Sequence, residues 1–275
     1  MFPVTPAAAL AVFAMGTLSG SLGAMLGIGG GVFLVPFLVL AIGLPFQQAA
    51  AVSLAAVIAT STAVSAATTG RQLINLRLGM ALEVATAAGG LAGGLTAQML
   101  SPAALQALFA TVAVFVAVAL IRKREEPPLP HDAEPGTLGG RLMDPRTGGV
   151  ATYQVRRLEI GLLASFIAGN LSTLLGIGGG VVKVPALVTW CGVPMRVAAA
   201  TSAFMIGVTA TSGAVIYYGH GDLIPALAAS AVLGTQVGSA VGMRVGARAP
   251  AAWLRSLLAI VLLVVSAVMI VRAWQ

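Results

Sequence analysis

The sequence predicts an all-α polytopic membrane protein made of two inverted repeats of about five helical segments each, with a glycine-broken helix in both. Two observations predict this class. Of the 275 residues, 58% are hydrophobic and only 8% are charged, whereas soluble domains carry about 25% charged residues. The stretch GIGGGVFLVP at Gly27 also recurs as GIGGGVVKVP at Gly176, 149 residues later. An internal duplication of this kind decides the architecture before any single residue does.

The duplication extends well beyond the glycine run. The offset of 149 residues also matches Pro45 with Pro194, Ser53 with Ser202 and Thr60 with Thr209. One residue is then lost, and an offset of 148 residues matches Gly90 with Gly238 and Gly94 with Gly242. We therefore predict a first transmembrane repeat over residues 1–121, a linker over 122–156 and a second transmembrane repeat over 157–275.

Apolar runs of the length that a bilayer requires place the individual helices. The linker between the two repeats is rich in Pro and Gly and holds basic residues, which predicts a connection rather than a domain. In both repeats the segment after the glycine run is short, so the first two pieces either cross separately or meet as a re-entrant hairpin. The predicted helices cover residues 7–26, 32–42, 47–69, 79–99, 102–121, 158–175, 181–192, 195–218, 223–246 and 251–273.

Each glycine run predicts a break in a membrane helix, because glycine adopts positive φ freely and costs about 1 kcal/mol inside a helix. Unwound backbone is tolerated at membrane depth only where protein or a wet cavity meets it. The free N–H groups and the dipole of the following helix favour an anion there. The alternative is close glycine-mediated helix packing. Because two copies occupy matching places, we expect a substrate site at Gly29, Gly30, Gly31, Gly178, Gly179 and Gly180.

Charge in the loops predicts the orientation of the repeats. Basic residues at 122–124 and 156–157 place the linker in the cytoplasm, and counting spans from there places both termini outside. The basic loop at 71–77 corresponds to the loop at 219–222, which has no Lys or Arg, and the bare loop at Ser101 corresponds to a basic one. Matching loops of opposite character are typical of inverted repeats with an odd number of crossings each.

The motifs resemble the TauE/SafE sulfite exporter family. Both copies of GIGGGxxxVP are followed nine residues later by a proline and then by a serine-bearing helix. The resemblance covers nearly the whole chain. It implies a multi-pass transporter of the bacterial-type plasma (inner) membrane that moves sulfite, sulfonates or related sulfur-containing or organic anions. The second half has Ala200-Thr201-Ser202, close to the family's usual Gly-Thr-Ser, whereas the first half has Ala51-Val52-Ser53.

Lys183 is the sharpest single candidate for a substrate contact. It lies three residues past the second glycine run, where the first copy has Leu34. A charge at membrane depth costs several kcal/mol and normally faces a cavity, although a lysine in a short helix can also snorkel to an interface. With no acidic residue in the second motif, we expect a mobile anion to be its counter-ion. Four polar residues near the motifs are further candidates for lining the site: Ser53, Asn170, Thr201 and Ser202.

The remaining polar residues receive structural interpretations. Glu83 is either a coupling-ion carboxylate or an interfacial charge paired with Arg77 or Arg71, and the second interpretation is favoured. Thr209 is interpreted as a packing residue. The single Cys191 excludes an internal disulfide and a cysteine metal cluster, and both histidines lie in predicted loops. We therefore expect no metal and no cofactor.

The favoured function is a secondary transporter of a small anion that works by alternating access, with a proton or sodium as a possible coupling ion. A membrane-embedded enzyme would need paired carboxylates or a nucleophile with a base within the spans, and the sequence has neither. A passive anion channel and a membrane assembly subunit remain as alternatives. The expected partners are the anion and the lipid bilayer, and assembly into a homo-oligomer is left open. The net charge of +7 comes from loops between spans and does not indicate nucleic-acid binding.

Overall fold

The computed structural model of the chain describes residues 5–27, 29–69, 74–121, 136–143, 150–246, 259–260 and 262–269. The first half contains α1 (Pro6–Leu26), α2 (Gly31–Phe37), α3 (Phe46–Thr69), α4 (Leu76–Met99) and α5 (Pro102–Ile121). α2 continues as a π-helical segment, Leu38–Ile42. The second half contains α6 (Leu158–Leu175), α7 (Gly180–Thr189), α8 (Met195–Gly219) and α9 (Pro225–Gly246). Residues 259–260 and 262–269 are also helical.

Six of the described helices are long and apolar enough to cross a membrane, namely α1, α3, α4, α6, α8 and α9. The predicted all-α, multi-pass class is therefore confirmed. α2 and α7 are much shorter than the roughly 20 residues that a full crossing requires. Short helices of this kind follow both glycine runs, which is where the sequence predicts broken elements.

The helices of the two halves pack by exchange. α1 of the first half lies along α9 of the second, and α6 of the second half lies along α4 of the first. α3 and α8 contact each other in the centre, and α9 also contacts α3 as α4 contacts α8. The α1–α9 and α3–α9 contacts are therefore matched by the α4–α6 and α4–α8 contacts, in which the halves change places.

Glycines let the exchanged helices approach backbone to backbone. A Cβ atom at Gly238 in α9 would collide with the carbonyl oxygen of Thr17 in α1, and a Cβ atom at Gly89 in α4 would collide with that of Phe166 in α6. Small residues at such crossings are typical of membrane helix pairs. Gly89 and Gly238 are 149 residues apart, so the predicted match of Gly90 with Gly238 is wrong, and the original offset continues through the fourth helix.

A β-hairpin occupies part of the predicted linker and was not anticipated from the sequence. β1 (Gly140–Met143) pairs antiparallel with β2 (Val150–Tyr153). Tyr153 is buried, and burial raises the pKa of its phenol. Asn75, which caps α4, donates from Nδ2 to the Tyr153 hydroxyl at 2.8 Å and to the Leu138 carbonyl oxygen at 2.7 Å. The linker is thus attached to the start of α4 rather than free of the helices.

Candidate functional site

Both glycine runs form the same break in the helix. Gly27 and Gly29 have φ values of 69° and 72°, and their counterparts Gly176 and Gly178 have φ values of 68° and 78°. Side chains other than glycine adopt this left-handed region only with strain. Gly176 and Gly178 to Gly180 of the second run are buried, as are Gly29 to Gly31 of the first. The expectation that these glycines interrupt the helices is confirmed.

After each break the chain turns back along the helix that it has just left. A Cβ atom at Gly30 would lie 2.5 Å from the carbonyl oxygen of Ser19, two turns back in α1. One at Gly179 would lie 3.0 Å from the carbonyl oxygen of Ala168 in α6. Gly30 and Gly179 have right-handed backbone, with φ of −51° and −70°. Glycine is therefore needed at these positions because there is no room for a Cβ atom, and not because of the backbone conformation. α2 and α7 therefore begin beside α1 and α6 instead of continuing them.

The two breaks meet at the interface between the halves. A Cβ atom at Gly31 would collide with the carbonyl oxygen of Gly176. The same carbonyl oxygen accepts a hydrogen bond of 2.6 Å from Ser53 Oγ on α3. Gly176 also lies against Ala50 of α3, and Gly27 lies against Ala199 of α8. Each break is therefore held by the central helix of the other half.

Lys183 lies beside the second break and is 1% exposed. Its Nζ atom lies 4.0 Å from Glu83 Oε2 and 3.3 Å from Thr209 Oγ1. Thr209 in turn donates to Glu83 Oε1 at 2.9 Å. Three helices, α4, α7 and α8, thus contribute one carboxylate, one ammonium and one hydroxyl to a compact cluster, which we call the charged cluster.

The charged cluster excludes one alternative considered for Lys183 and corrects three interpretations made from the sequence. Lys183 does not snorkel to an interface, because its Nζ atom is enclosed. Glu83 pairs with Lys183 rather than with Arg77, which is exposed, while Arg71 lies outside the described residues. Lys183 therefore has a resident counter-ion instead of depending on a mobile anion alone. Thr209, which was interpreted as a packing residue, is the hydrogen-bonding bridge of the cluster.

Several buried side-chain oxygens of the second half have no hydrogen-bond partner among the described residues. They include Ser172 Oγ and Thr173 Oγ1, at the end of α6, and Ser202 Oγ on α8. Glu83 Oε2 accepts no hydrogen bond either, although it faces the ammonium of Lys183. Leaving a buried polar group without a partner costs about 1–3 kcal/mol, so each such group calls for an explanation. A polar ligand would supply the missing partners.

The other predicted site residues take part in packing. Thr201 Oγ1 accepts a hydrogen bond of 3.0 Å from the backbone N–H of Asn75, next to α4. The carbonyl oxygen of Asn170 lies against Gly93 in the α4–α6 pair. Ser53 is fully buried and bonded to Gly176. Of the four hydroxyl and amide candidates, Ser202 is the one with a buried side-chain oxygen that has no hydrogen-bond partner in the described part of the chain.

A comparison of corresponding positions in the two copies could have indicated the charged cluster, although the glycine motifs do not. By the offset of 149 residues, Lys183 corresponds to Leu34, and Glu83 corresponds to Val232. Each charge thus replaces an apolar residue of the other copy, and the two charges are opposite in sign. This complementarity predicts a pair even though the two positions are far apart in the sequence.

The arrangement has the chemistry of a binding site. An enclosed ammonium, a carboxylate and several hydroxyls can bind and release an ion. Within the described ranges, no group of three or more His, Cys, Asp or Glu side chains could hold a metal ion.

Comparisons with known proteins identify the family. The family model described as "Sulfite exporter TauE/SafE" matches residues 12–269. The chain is 26% identical over 223 residues to "Probable membrane transporter protein YunE" of Bacillus subtilis (strain 168). The aligned region covers 78% of this chain and 80% of that protein. It is 42% identical over 65 residues to "Sulfite exporter TauE/SafE family protein 6" of Arabidopsis thaliana, covering 24% of this chain and 15% of that protein. No solved structure matches. These names describe membrane transporters rather than enzymes.

Proposed function

The chain belongs to the sulfite exporter TauE/SafE family of membrane transporters, and we propose that it moves a small anion by binding it at Lys183. The observation that carries the proposal is an ammonium that is 1% exposed next to a helix break inside a membrane protein. An intramembrane charge is expensive and is normally retained for function. An ammonium beside unwound backbone and unpartnered hydroxyls attracts an anion more strongly than either feature alone.

The proposed substrates are sulfite, sulfonates and related sulfur-containing or organic anions. The names of the family and of the plant relative support this class. Sulfite and sulfonates offer three acceptor oxygens, which suits an ammonium together with hydroxyl donors. In this proposal Gly29 to Gly31 and Gly178 to Gly180 keep the backbone open around the anion.

We propose alternating access between inverted repeats as the mechanism. The contact between the two breaks at Gly31 and Gly176 supports a single central site. Ser61, in the C-terminal half of α3, donates to the carbonyl oxygen of Ala203 near the start of α8. Asn75, which follows α3, also binds Thr201 near the start of α8. These contacts support opposite directions for the matched helices α3 and α8, as inverted repeats require.

The proposed orientation has both termini outside a bacterial-type plasma membrane, with the segment 122–156 between repeats 1–121 and 157–275 in the cytoplasm. Most of the charges that predict it, including those at 71 and 122–124, lie outside the described residues. Cysteines placed singly at Gly136 and Gly221 test it, because both positions have open space and native Cys191 is buried. In intact cells an impermeant thiol reagent should label only the cysteine at position 221, and labelling at position 136 would overturn the orientation.

The test of function is flux and binding with purified protein. Sulfite, thiosulfate, sulfate, methanesulfonate and acetate are tested in turn. We expect the melting temperature of the protein to rise with at least one of them, since a ligand stabilises the state that it binds. In proteoliposomes, uptake of the best-binding anion should saturate with concentration, as a carrier requires. A flux that rises linearly would favour the passive channel, and the absence of both binding and flux would contradict anion transport.

A further inference from the structure

The charged cluster joins the two halves of the chain through one carboxylate and one ammonium. Glu83 comes from α4 of the first half, and Lys183 comes from α7 of the second half. The side chain of Lys183 is 0% exposed and that of Glu83 is 13% exposed. The pair has zero net charge whether the proton lies on the lysine, as an ion pair, or on the glutamate, as a neutral pair.

We infer that Glu83 is the binding site of a coupling proton, which is taken up when an anion binds to Lys183 and released when the anion leaves. This inference rests on the proposed function, because it needs an anion to bind at Lys183. It goes beyond that function because it names the coupling ion, its binding residue and the stoichiometry of one proton for one monovalent anion.

The argument is one of charge balance at low dielectric. A monovalent anion that binds to the protonated Lys183 while Glu83 remains ionised leaves the cluster with a net charge of −1. Burying such an uncompensated charge costs several kcal/mol. If Glu83 takes up a proton, the cluster with its anion returns to zero net charge. If the starting pair is neutral, the anion still requires one added proton to charge Lys183, so the stoichiometry is the same.

The geometry allows the exchange of partners. The distance of 4.0 Å between Nζ and Oε2 is an ion-pair distance without a direct hydrogen bond, so an anion oxygen competes with a loosely held carboxylate. Glu83 keeps its other oxygen within 2.9 Å of Thr209 Oγ1. Thr209 can donate to the ionised carboxylate and accept from the protonated carboxyl group, because a hydroxyl is both donor and acceptor. The protonated side chain therefore retains a partner.

No other titratable group in the described part of the chain is placed to do the same work. The elements around Glu83 are α4 itself, α6, α7 and α8. Apart from Lys183, their titratable and charged groups are exposed, except for Tyr217, which donates to backbone carbonyl oxygens at the end of α6. The exposed ones are Arg77, Glu159, Arg196 and Tyr218.

The duplicated scaffold also shows that folding does not require the pair. The counterparts of Lys183 and Glu83 in the other copy are Leu34 and Val232, and Leu34 is fully buried there. A helix break with the same backbone geometry thus forms around apolar side chains. The pair is an addition to one copy, which favours a role in transport over a role in assembly.

The step itself is a simple proton transfer. The proton comes from the aqueous phase on the side to which the site is open and forms a bond with a carboxyl oxygen of Glu83. No bond of the substrate is made or broken, and nothing is oxidised or reduced. On the other side the anion leaves, Lys183 attracts Glu83 again and the proton returns to water. Anion and proton therefore move in the same direction, and the cycle carries no net charge for a monovalent anion.

The experiment is calorimetry of anion binding in imidazole and in Tris buffer, whose different ionisation enthalpies report the protons exchanged. These two buffers are chosen because their protonated forms are cations, whereas common zwitterionic buffers are themselves sulfonates and would compete for the site. The probe is methanesulfonate, a monovalent anion whose own charge is constant near neutral pH. We expect wild-type protein to take up about one proton per methanesulfonate, so that its affinity falls about tenfold per pH unit in the range where free Glu83 is ionised.

Glu83→Gln should bind methanesulfonate without proton uptake and with an affinity that is independent of pH, because the amide preserves the bond to Thr209 and cannot titrate. Glu159→Gln, which removes an exposed carboxylate of the same chain, should behave as wild type. Anion binding without proton uptake in the wild-type protein would overturn the inference and leave the proposed function intact. Proton uptake that persists in Glu83→Gln would assign the proton to another group. If neither methanesulfonate nor sulfite binds at all, both proposals fail together.

Discussion

The two glycine breaks have the same backbone and hold different side chains. Both turn the chain back through two left-handed glycines, and both are covered by the central helix of the other half. The second break holds Lys183 and Glu83, whereas the first has Leu34 and Val232 at the corresponding positions. Backbone geometry and charge are thus separate features of this fold. The geometry is common to both copies, and the charge distinguishes one of them.

The two copies also differ in the hydrogen bonds that their corresponding hydroxyl groups make. Ser53 donates a hydrogen bond of 2.6 Å to Gly176, while the oxygen of its counterpart Ser202 has no partner among the described residues. Thr60 bonds to its own helix at Ala56, whereas its counterpart Thr209 also contacts both members of the charged cluster. The first copy therefore bonds these two hydroxyls to backbone carbonyl oxygens, whereas in the second copy one hydroxyl lacks a partner and the other bridges the charged cluster.

The largest expected effect is loss of the shared geometry. Gly31→Ala places a Cβ atom against the carbonyl oxygen of Gly176, which is backbone and cannot move aside. We expect a loss of about 3 kcal/mol or more in stability, at the upper end for overpacking. Gly43→Ala is the matched control, because Gly43 has a φ of 79° but open space around it, and it should cost only about 1 kcal/mol. Thermal denaturation in detergent measures both, and equal effects would contradict the steric role of Gly31.

The next effect concerns the charge that distinguishes the second break. Lys183→Met leaves Glu83 without its cation, and we expect a loss of about 2–3 kcal/mol, less than for a fully buried pair because Glu83 is partly exposed. Glu83→Gln in the same chain should restore most of that loss, since no unpaired charge remains. The double-mutant cycle measures the coupling. Additive effects of the two substitutions would show that the pair is not energetically coupled.

Anion binding should separate the two breaks. In a Glu83→Gln background, Lys183→Met should weaken binding of the best anion by at least about tenfold, or about 1.4 kcal/mol. Lys183→Arg should retain part of the affinity, because the charge remains while its geometry changes. Leu34→Met is the matched control at the corresponding position of the first break and should bind as wild type. Equilibrium binding of these variants decides whether the ammonium or the backbone supplies the affinity.

The smallest effect is a comparison of two corresponding serines. Ser53→Ala removes a buried hydrogen bond and should cost about 1 kcal/mol in stability. Ser202→Ala removes a hydroxyl that has no partner in the described structure, so its stability should change by less than about 0.5 kcal/mol. Melting temperatures without and with anion provide the measurement. A larger loss for Ser202→Ala in the absence of anion would mean that its hydroxyl has a structural role.

The elements of this fold were predictable from the sequence because hydrocarbon leaves few choices. Apolar runs and glycine clusters placed most helices within a few residues of their bounds, although α7 ends at Thr189 rather than at residue 192. The hairpin of β1 and β2 was missed because short strands without an apolar pattern resemble any linker. The offset in the fourth helix was misassigned because adjacent glycines, Gly89 and Gly90, permit either alignment.

The charged cluster was predicted in part. Lys183 stood out because a charge in an apolar helix is rare, and the glycines stood out because they occur twice. The partnership with Glu83 could not be read from spacing, since it depends on how α4 packs against α8. Thr201 and Asn170 were assigned to the site on their positions in the motifs, whereas helix packing directs their described contacts to α4. Sequence reasoning finds unusual residues, and tertiary packing decides what they contact.

The exchanged helix pairs have a consequence for synthesis of the chain. α1 ends at Leu26, whereas α9, the helix that packs against its backbone, begins only at Pro225. α4 is likewise synthesised before α6, the helix that packs against it. During translation the first half therefore enters the bilayer with its closest packing surfaces facing lipid, and it acquires its native neighbours only when the second half arrives. Contacts so distant in sequence form slowly. A chain truncated after α5 should thus insert yet remain a loose set of helices, a natural target for membrane quality control.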